Sequence, residues 1–207
     1  MGNILQFSSP TPPKFGFEKV RKRSRSASGA RDQLNLFGHA KASPGKVLRL
    51  TTDLSPFEDA LRLDEKEDPR AAKAYRKSID DGDCVADAYC NLGILESRAG
   101  NAPKAFDCFT NSLKHDPRHF ESHYNLGNLY FEESNFRLAR MHYEIAIELD
   151  PTFTNIYFNL GLVHALSDDL KAAVNALGMY RKLAPADEAR KADQLLASLK
   201  LSMTNLR

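Results

Sequence analysis

The sequence predicts an all-α protein, built as a superhelix of antiparallel helix pairs, and three features that repeat between residues 86 and 185 support this prediction. The triplet Asn-Leu-Gly ends at Gly93, Gly127 and Gly161, which are spaced 34 residues apart. An alanine and a proline return on the same interval. A strict interval of this size is typical of stacked supersecondary units, each burying its apolar face against the next. The repeated positions are Ala105, Ala139 and Ala173, followed by Pro117, Pro151 and Pro185.

Each repeat is predicted to contain two amphipathic helices joined by a short turn. In the first clear repeat, Leu92 and Glu96 follow one another at helical spacing, and Gly100 then ends the helix. Small residues such as Gly127 and Ala139 allow the two helices of a pair to approach closely. The proline that closes each repeat cannot continue the second helix, so it fixes where the next unit begins.

The ordered part of the chain is predicted to begin near residue 52. Ser55 suits the N-cap of a helix and Glu58, three residues later, completes a capping box. The first repeat lacks the Leu-Gly pair, and its first helix is shifted by one residue. The predicted divisions are a disordered basic arm (1–51), a degenerate first repeat (52–85), three regular repeats (86–119, 120–153 and 154–187) and a C-terminal capping helix with a tail (188–207).

This layout resembles the tetratricopeptide repeat (TPR) family, and the resemblance covers residues 86–185. It implies a right-handed solenoid of about four repeats plus a capping helix. Arrays of this kind need an end cap, because the last repeat otherwise exposes its apolar face to water. The resemblance also implies a concave groove, lined by one stripe of each repeat's first helix, in which a partner peptide binds.

The Asn of each Asn-Leu-Gly triplet falls on the groove stripe. Its amide presents a donor and an acceptor side by side, so it can pair with both the C=O and the N–H of an extended chain. Neighbouring helices lie about 10 Å apart and an extended chain advances ~3.3 Å per residue. We therefore expect a peptide to be held at about every third residue. The implied groove residues are Cys90, Asn91, Ile94, Arg98, Tyr124, Asn125, Asn128, Phe158, Asn159 and Leu162.

The groove chemistry favours neutral, apolar or weakly basic segments. Family members that capture a C-terminal carboxylate place Lys or Arg on this stripe, whereas here only Arg98 is basic. Cys90, Tyr124 and Phe158 form a partly apolar floor. The groove asparagines are expected to have no buried partner within the repeats themselves.

The N-terminal arm carries most of the positive charge. Residues 1–50 contain ten Lys or Arg and two Asp or Glu, although the whole chain has a net charge of only +2. Its composition, rich in Pro and Ser with a basic run at residues 19–31, predicts disorder. Three roles are expected for this run: a solvated linker, an electrostatic contact to nucleic acid or another anionic surface, or, in a nucleated cell, a nuclear address.

One apolar cluster interrupts the arm at "QLNLF". This cluster resembles the Gln-Leu-(Ser/Asp)-Leu-Phe pentapeptide by which bacterial polymerases and repair proteins dock on the sliding clamp. That resemblance implies docking through an apolar pocket. The alternative is that the cluster folds back onto the degenerate first helix pair, and this alternative is favoured. The residues concerned are Gln33, Leu34, Leu36 and Phe37.

No catalytic or metal-ligating pattern is found in the sequence, and no cofactor is expected. Pro117 interrupts any shared helical face of His115, His119 and His123, and Cys90 has no nearby base. Three cysteines and the absence of an apolar membrane span favour a reduced, cytoplasmic protein, expected to be a monomer.

The leading hypothesis is a non-catalytic scaffold that binds a peptide in its groove. The alternative is a nucleic-acid-associated protein, or an accessory protein of DNA replication or repair, acting through the arm and the QLNLF cluster.

Overall fold

The computed structural model describes residues 13–21 and 54–205. Within these ranges the chain forms nine α-helices and no strand, as the sequence predicted. Residues 13–21 are extended and precede the first helix. The helices are α1 (Pro56–Glu65), α2 (Ala71–Asp80), α3 (Val85–Arg98), α4 (Ala102–His115), α5 (Phe120–Glu132), α6 (Phe136–Leu149), α7 (Thr154–Leu166), α8 (Leu170–Leu183) and α9 (Ala186–Asn205).

Successive helices pack as four pairs, α1 with α2, α3 with α4, α5 with α6 and α7 with α8. Each pair also contacts the next, since the second helix of one lies against the first helix of the following pair. The repeated alanines of the second helices, Ala105, Ala139 and Ala173, are fully buried. The core runs along the stack as two clusters of buried residues, and Tyr130 packs against both. Stacking of this kind buries faces that a single unit would leave exposed.

The repeated glycines lie where the two helices of a pair touch. A Cβ atom added to Gly127 would lie 2.5 Å from Cε1 of Tyr143, and one added to Gly93 would lie 2.7 Å from Cε1 of Phe109. At Gly161 the nearest atom is Cγ of Leu177, at 2.7 Å. These distances leave no room for a side chain, so the glycine of each triplet is required by packing.

The first helix begins where the capping-box pattern predicts. The Ser55 hydroxyl accepts a hydrogen bond from the N–H of Glu58 (3.3 Å), and the Glu58 carboxylate accepts one from the N–H of Ser55 (3.2 Å). The degenerate repeat also shows the expected shift of one residue. Its turn residue with positive φ is Glu67, which lies 33 residues before Gly100, the corresponding turn residue of the next pair.

The last helix covers the exposed end of the stack. It packs on α8 and buries Ala192, Leu195, Leu196 and Leu199. Most of its other residues are polar, as the capping role requires, although Leu201 is exposed. It begins at Ala186, slightly earlier than the predicted division at residue 188.

Candidate peptide-binding groove

The face formed by the first helices α3, α5 and α7, which we call the groove, holds residues 13–21 of the same chain. We call this stretch the resident segment. Three groove asparagines form an asparagine ladder, in which each amide oxygen accepts from the N–H of one segment residue while the amide nitrogen donates to its C=O. The pairs are Asn91 with Val20 (2.9 and 3.0 Å), Asn125 with Glu18 (2.8 and 2.8 Å) and Asn159 with Phe15 (2.8 and 3.1 Å).

The resident segment runs antiparallel to the order of the repeats. Phe15, near the N-terminal end of the segment, lies at the last helix pair, and Val20, near its C-terminal end, lies at the second pair. A fourth amide, that of Asn128, donates to the C=O of Gly16 at 2.9 Å. The ladder therefore grips the segment at intervals of three and two residues, close to the expected interval of three.

The prediction of a disordered arm over residues 1–51 does not hold for residues 13–21, which lie along the groove. The nine residues from Pro13 to Arg21 are extended, and Val20 is fully buried. The rest of the arm, including Gln33, Leu34, Leu36 and Phe37, lies outside the described residues. Of the basic run at 19–31, the structure describes the part up to Arg21, in which Lys19 pairs with Asp64 at 2.6 Å.

The expectation that the groove asparagines have no partner within the repeats is wrong. The Asn91 amide also donates to the hydroxyl of Tyr75 at 3.2 Å. Likewise the Asn159 amide donates to the hydroxyl of Tyr124 (3.1 Å) and to Oδ1 of Asn128 (2.8 Å). These bonds to side chains of the repeats help to orient the amides of Asn91 and Asn159 towards the resident segment.

The amide of Asn125 depends least on the repeats. Its bond within the repeats goes to Sγ of Cys90, at 3.4 Å, and a neutral thiol is a weak acceptor. Its two bonds to Glu18 are the shortest matched pair of the ladder. Asn125 is therefore the position at which the hold on the resident segment can be changed with least effect on the fold.

Aromatic side chains of the resident segment occupy the apolar parts of the groove. The Phe15 ring packs edge-on against Phe158, with centroids 5.3 Å apart, and lies 5.7 Å from Tyr180. The Phe17 ring stacks with Phe109 at 6.0 Å. Phe15 thus joins the core of the last two pairs, while Phe17 and Val20 join the core of the first two.

Charged residues fix both ends of the resident segment. Nζ of Lys14 lies 3.0 Å from Glu132, and it also lies over the Phe17 ring, 5.3 Å from the centroid. At the other end, Lys19 pairs with Asp64, whose side chain is 2% exposed and also accepts from the Tyr75 hydroxyl at 3.0 Å. Because Tyr75 bonds Asn91 in turn, the charge pair and the ladder form one network.

The other implied groove residues divide into floor and rim. The floor consists of four buried side chains, those of Ile94, Tyr124, Phe158 and Leu162. Arg98 is exposed and lines an open cleft of about 420 Å³ beside Asp64, at the end of the groove where the segment leaves. Cys90, Tyr124 and Phe158, which the sequence predicted as an apolar floor, are all buried.

Cys90 lies in this floor as a buried thiol. Burial raises its pKa to about 12, so almost none of it is thiolate at neutral pH. We expect a maleimide at pH 7.5 to label Cys90 roughly a thousandfold more slowly than the exposed Cys84. Mass spectrometry of the digested protein measures both rates, with Cys84→Ser as the control. Equal rates would contradict the buried position of Cys90.

The three histidines considered as a metal face have separate partners. His119 bonds Asp87 at 2.8 Å and caps α5 by accepting from the N–H of Ser122. His115 stacks on Tyr89, and His123 lies against His142. Within the described ranges, no group of three His, Cys, Asp or Glu side chains is arranged to hold a metal ion.

The His123–His142 contact makes stability depend on pH. Burial, together with His123, lowers the pKa of His142 to about 4, whereas an unfolded chain binds this proton near pH 6.5. Protons therefore favour the unfolded chain as pH falls from about 6.5 towards 4. We expect a lower urea midpoint at pH 5 than at pH 7. His142→Gln should reduce the difference in urea midpoint between pH 5 and pH 7, whereas His115→Gln, at an exposed position, should not. An equal difference in the two variants would contradict the assignment of the pH dependence to His142.

The fold and the groove together define a class, that of helix-pair solenoids which hold an extended chain along their first helices. The family model described as "TPR repeat" matches residues 127–167, from the middle of α5 to the end of α7. The body of the chain is a TPR solenoid, as the sequence predicted.

Solved structures with this fold include MamA from Desulfovibrio magneticus RS-1, from residue 41 to its end. It has a TM-score of 0.57 and 18% identity, covering 72% of this chain and 94% of that chain. A MamA RS-1 double mutant gives the same values. The TPR2B domain of yeast Sti1, solved as a complex with pHsp70, has a TM-score of 0.53 and 21% identity, covering 56% of this chain and 97% of that chain. At these identities the likeness shows the fold alone.

No curated protein matches the sequence. Among the helices of the described residues, none combines the length and apolar character that crossing a membrane requires.

Proposed function

We propose that this protein is a non-catalytic interaction scaffold whose groove binds an extended segment of a partner protein. The asparagine ladder supports this proposal most strongly, because three successive repeats each pair with both main-chain groups of one residue. Main-chain bonds of this kind supply affinity for an extended peptide, while neighbouring side-chain contacts supply specificity.

The placement of the reactive side chains fits a binding role. Cys90, the thiol nearest the ladder, is held protonated by burial, and His119 is already bonded to Asp87 and to the start of α5. The TPR2B domain of yeast Sti1, solved as a complex with pHsp70, lends support by analogy of fold only.

A full-length chain with Phe15→Ala and Val20→Ala, which we call the opened chain, provides the test. Both changes weaken the hold on the resident segment without touching the repeats. Displayed random peptides selected on the opened chain are expected to lose about tenfold or more in affinity when Asn125→Ala is added, because two hydrogen bonds are removed.

The matched control is Asn175→Ala in the opened chain, since Asn175 lies exposed on α8. This change should leave peptide affinity as it was. Failure to select any peptide, or selection of peptides that bind equally with and without Asn125, would place the binding site elsewhere or refute the proposal.

A further inference from the structure

Building on the proposed function, we infer that the resident segment is a template of the partner. The groove selects a basic segment of the pattern Lys-aromatic-x-aromatic-x-Lys-aliphatic, and such a segment enters by displacing residues 13–21. The pattern follows from what each position of the resident segment contacts.

The two aromatic positions have matched surroundings. Phe15 meets Phe158 and Tyr180, and Phe17 meets Phe109. Edge-on and stacked ring contacts at these distances favour aromatic over aliphatic side chains. In an extended chain, residues two apart point to the same side, so one strand can supply both rings to the groove.

The two positions marked x are held through the main chain. Gly16 is exposed, its C=O is bonded by Asn128, and a Cβ added there would meet no atom within 4 Å. Glu18 is bonded by Asn125 through its N–H and C=O. Burial, opposed by Arg21 and reinforced by Glu121, raises the pKa of Glu18, so the groove does not demand an acid there.

The two lysine positions give the template its charge. Lys14 lies 3.0 Å from Glu132 and Lys19 lies 2.6 Å from the buried Asp64. An acidic partner would place like charges at both points, which is unfavourable where one member is buried. Val20, fully buried beside this pair, sets the aliphatic end of the pattern.

A partner must displace the resident segment, because this segment belongs to the same molecule as the groove and occupies it. A partner free in solution must compete with a segment that belongs to the same molecule, so its apparent affinity falls with the fraction of molecules whose groove is open. The resident segment thereby acts as a gate for partners of its own pattern.

The probe is a fluorescent peptide of residues 12–22, titrated onto the intact full-length chain and onto the opened chain by anisotropy. We expect binding about tenfold or more tighter on the opened chain. In the peptide, Phe15→Ala or Phe17→Ala should weaken binding by about tenfold or more, whereas Gly16→Ala should leave it unchanged. A peptide of reversed sequence should not bind. Phe106→Ala in the intact chain, an exposed ring on α4, is the control for loss of an aromatic residue and should not open the groove.

The outcomes separate this inference from the proposed function. Equal affinity for the intact and opened chains would overturn the gate, and selected peptides that bind the ladder without the aromatic pair would overturn the template, while either result leaves peptide binding in place. If no peptide of any sequence binds the opened chain, the proposed function itself fails. A dimer of the intact chain that dissociates on Phe15→Ala, measured by light scattering, would show that the segment is exchanged between copies and would also overturn the gate.

Discussion

Replacing Gly127 by leucine is expected to destabilise the fold by about 3 kcal/mol, whereas the same replacement at Gly178 should cost nothing. The added Cβ at Gly127 meets Cε1 and Cδ1 of Tyr143 at 2.5 and 2.6 Å. Tyr143 cannot withdraw, because its ring is fully buried and its hydroxyl donates to Oδ1 of Asn128 at 2.6 Å. Urea unfolding of both variants measures the difference.

Gly178 is a matched control because it is also helical but exposed, with no atom within 4 Å of an added Cβ. Leucine has a higher helix propensity than glycine, so Gly178→Leu should be neutral or slightly stabilising. Similar losses at the two positions would show that the glycines of the triplets are not packing positions.

The second large effect concerns the hold on the resident segment. Changing Asn91, Asn125 and Asn159 together to alanine removes both main-chain bonds at three positions, each bond being worth about 0.5–1.5 kcal/mol. We expect the amides of Glu18 and Val20 to exchange with deuterium at nearly the rate of an unfolded peptide. Hydrogen exchange followed by mass spectrometry of the N-terminal fragment measures this release.

Two further variants separate release from damage to the repeats. Asn125→Ala alone should raise exchange at Glu18 while leaving the urea midpoint nearly unchanged, because its bond within the repeats goes only to the thiol of Cys90 among the described contacts. Asn175→Ala should change neither quantity. Unaltered protection of residues 13–21 in the triple variant would mean that the side chains of Phe15, Phe17 and Val20 hold the segment without the ladder.

The repeat body could be predicted in detail because its determinants are local and periodic. Gly127 and Ala139 recur at 34-residue intervals with their counterparts, and each has a steric role that any single repeat reveals. The capping box at Ser55 is likewise contained in four consecutive residues. Such features depend on neighbours that are close in sequence.

The resident segment could not be predicted by the same means. Its ladder bonds join residues 71 to 144 positions apart, and the ladder binds N–H and C=O groups that every non-proline residue possesses. The prediction of disorder rests on the average composition of the arm, in which Phe15 and Phe17 carry little weight. The signal that was available is the alternation of Phe15 and Phe17, which gives a short extended strand an apolar side.

The course of the resident segment has a mechanical consequence. Stacked repeats contact only their neighbours, so the length of the stack depends on the geometry at each junction between repeats. Residues 13–21 run along the stack and contact it at several helices. They contact α1 through Asp64, the ladder on α3, α5 and α7, and α8 through Tyr180. An extended strand advances by ~3.3 Å per residue, so the length of chain from Phe15 to Val20 limits the spacing between the second and the last helix pair. If a partner binds as we propose, we expect a segment with the same pattern to preserve this spacing of the helix pairs. We expect a segment whose anchoring residues are spaced differently to lengthen or shorten the stack.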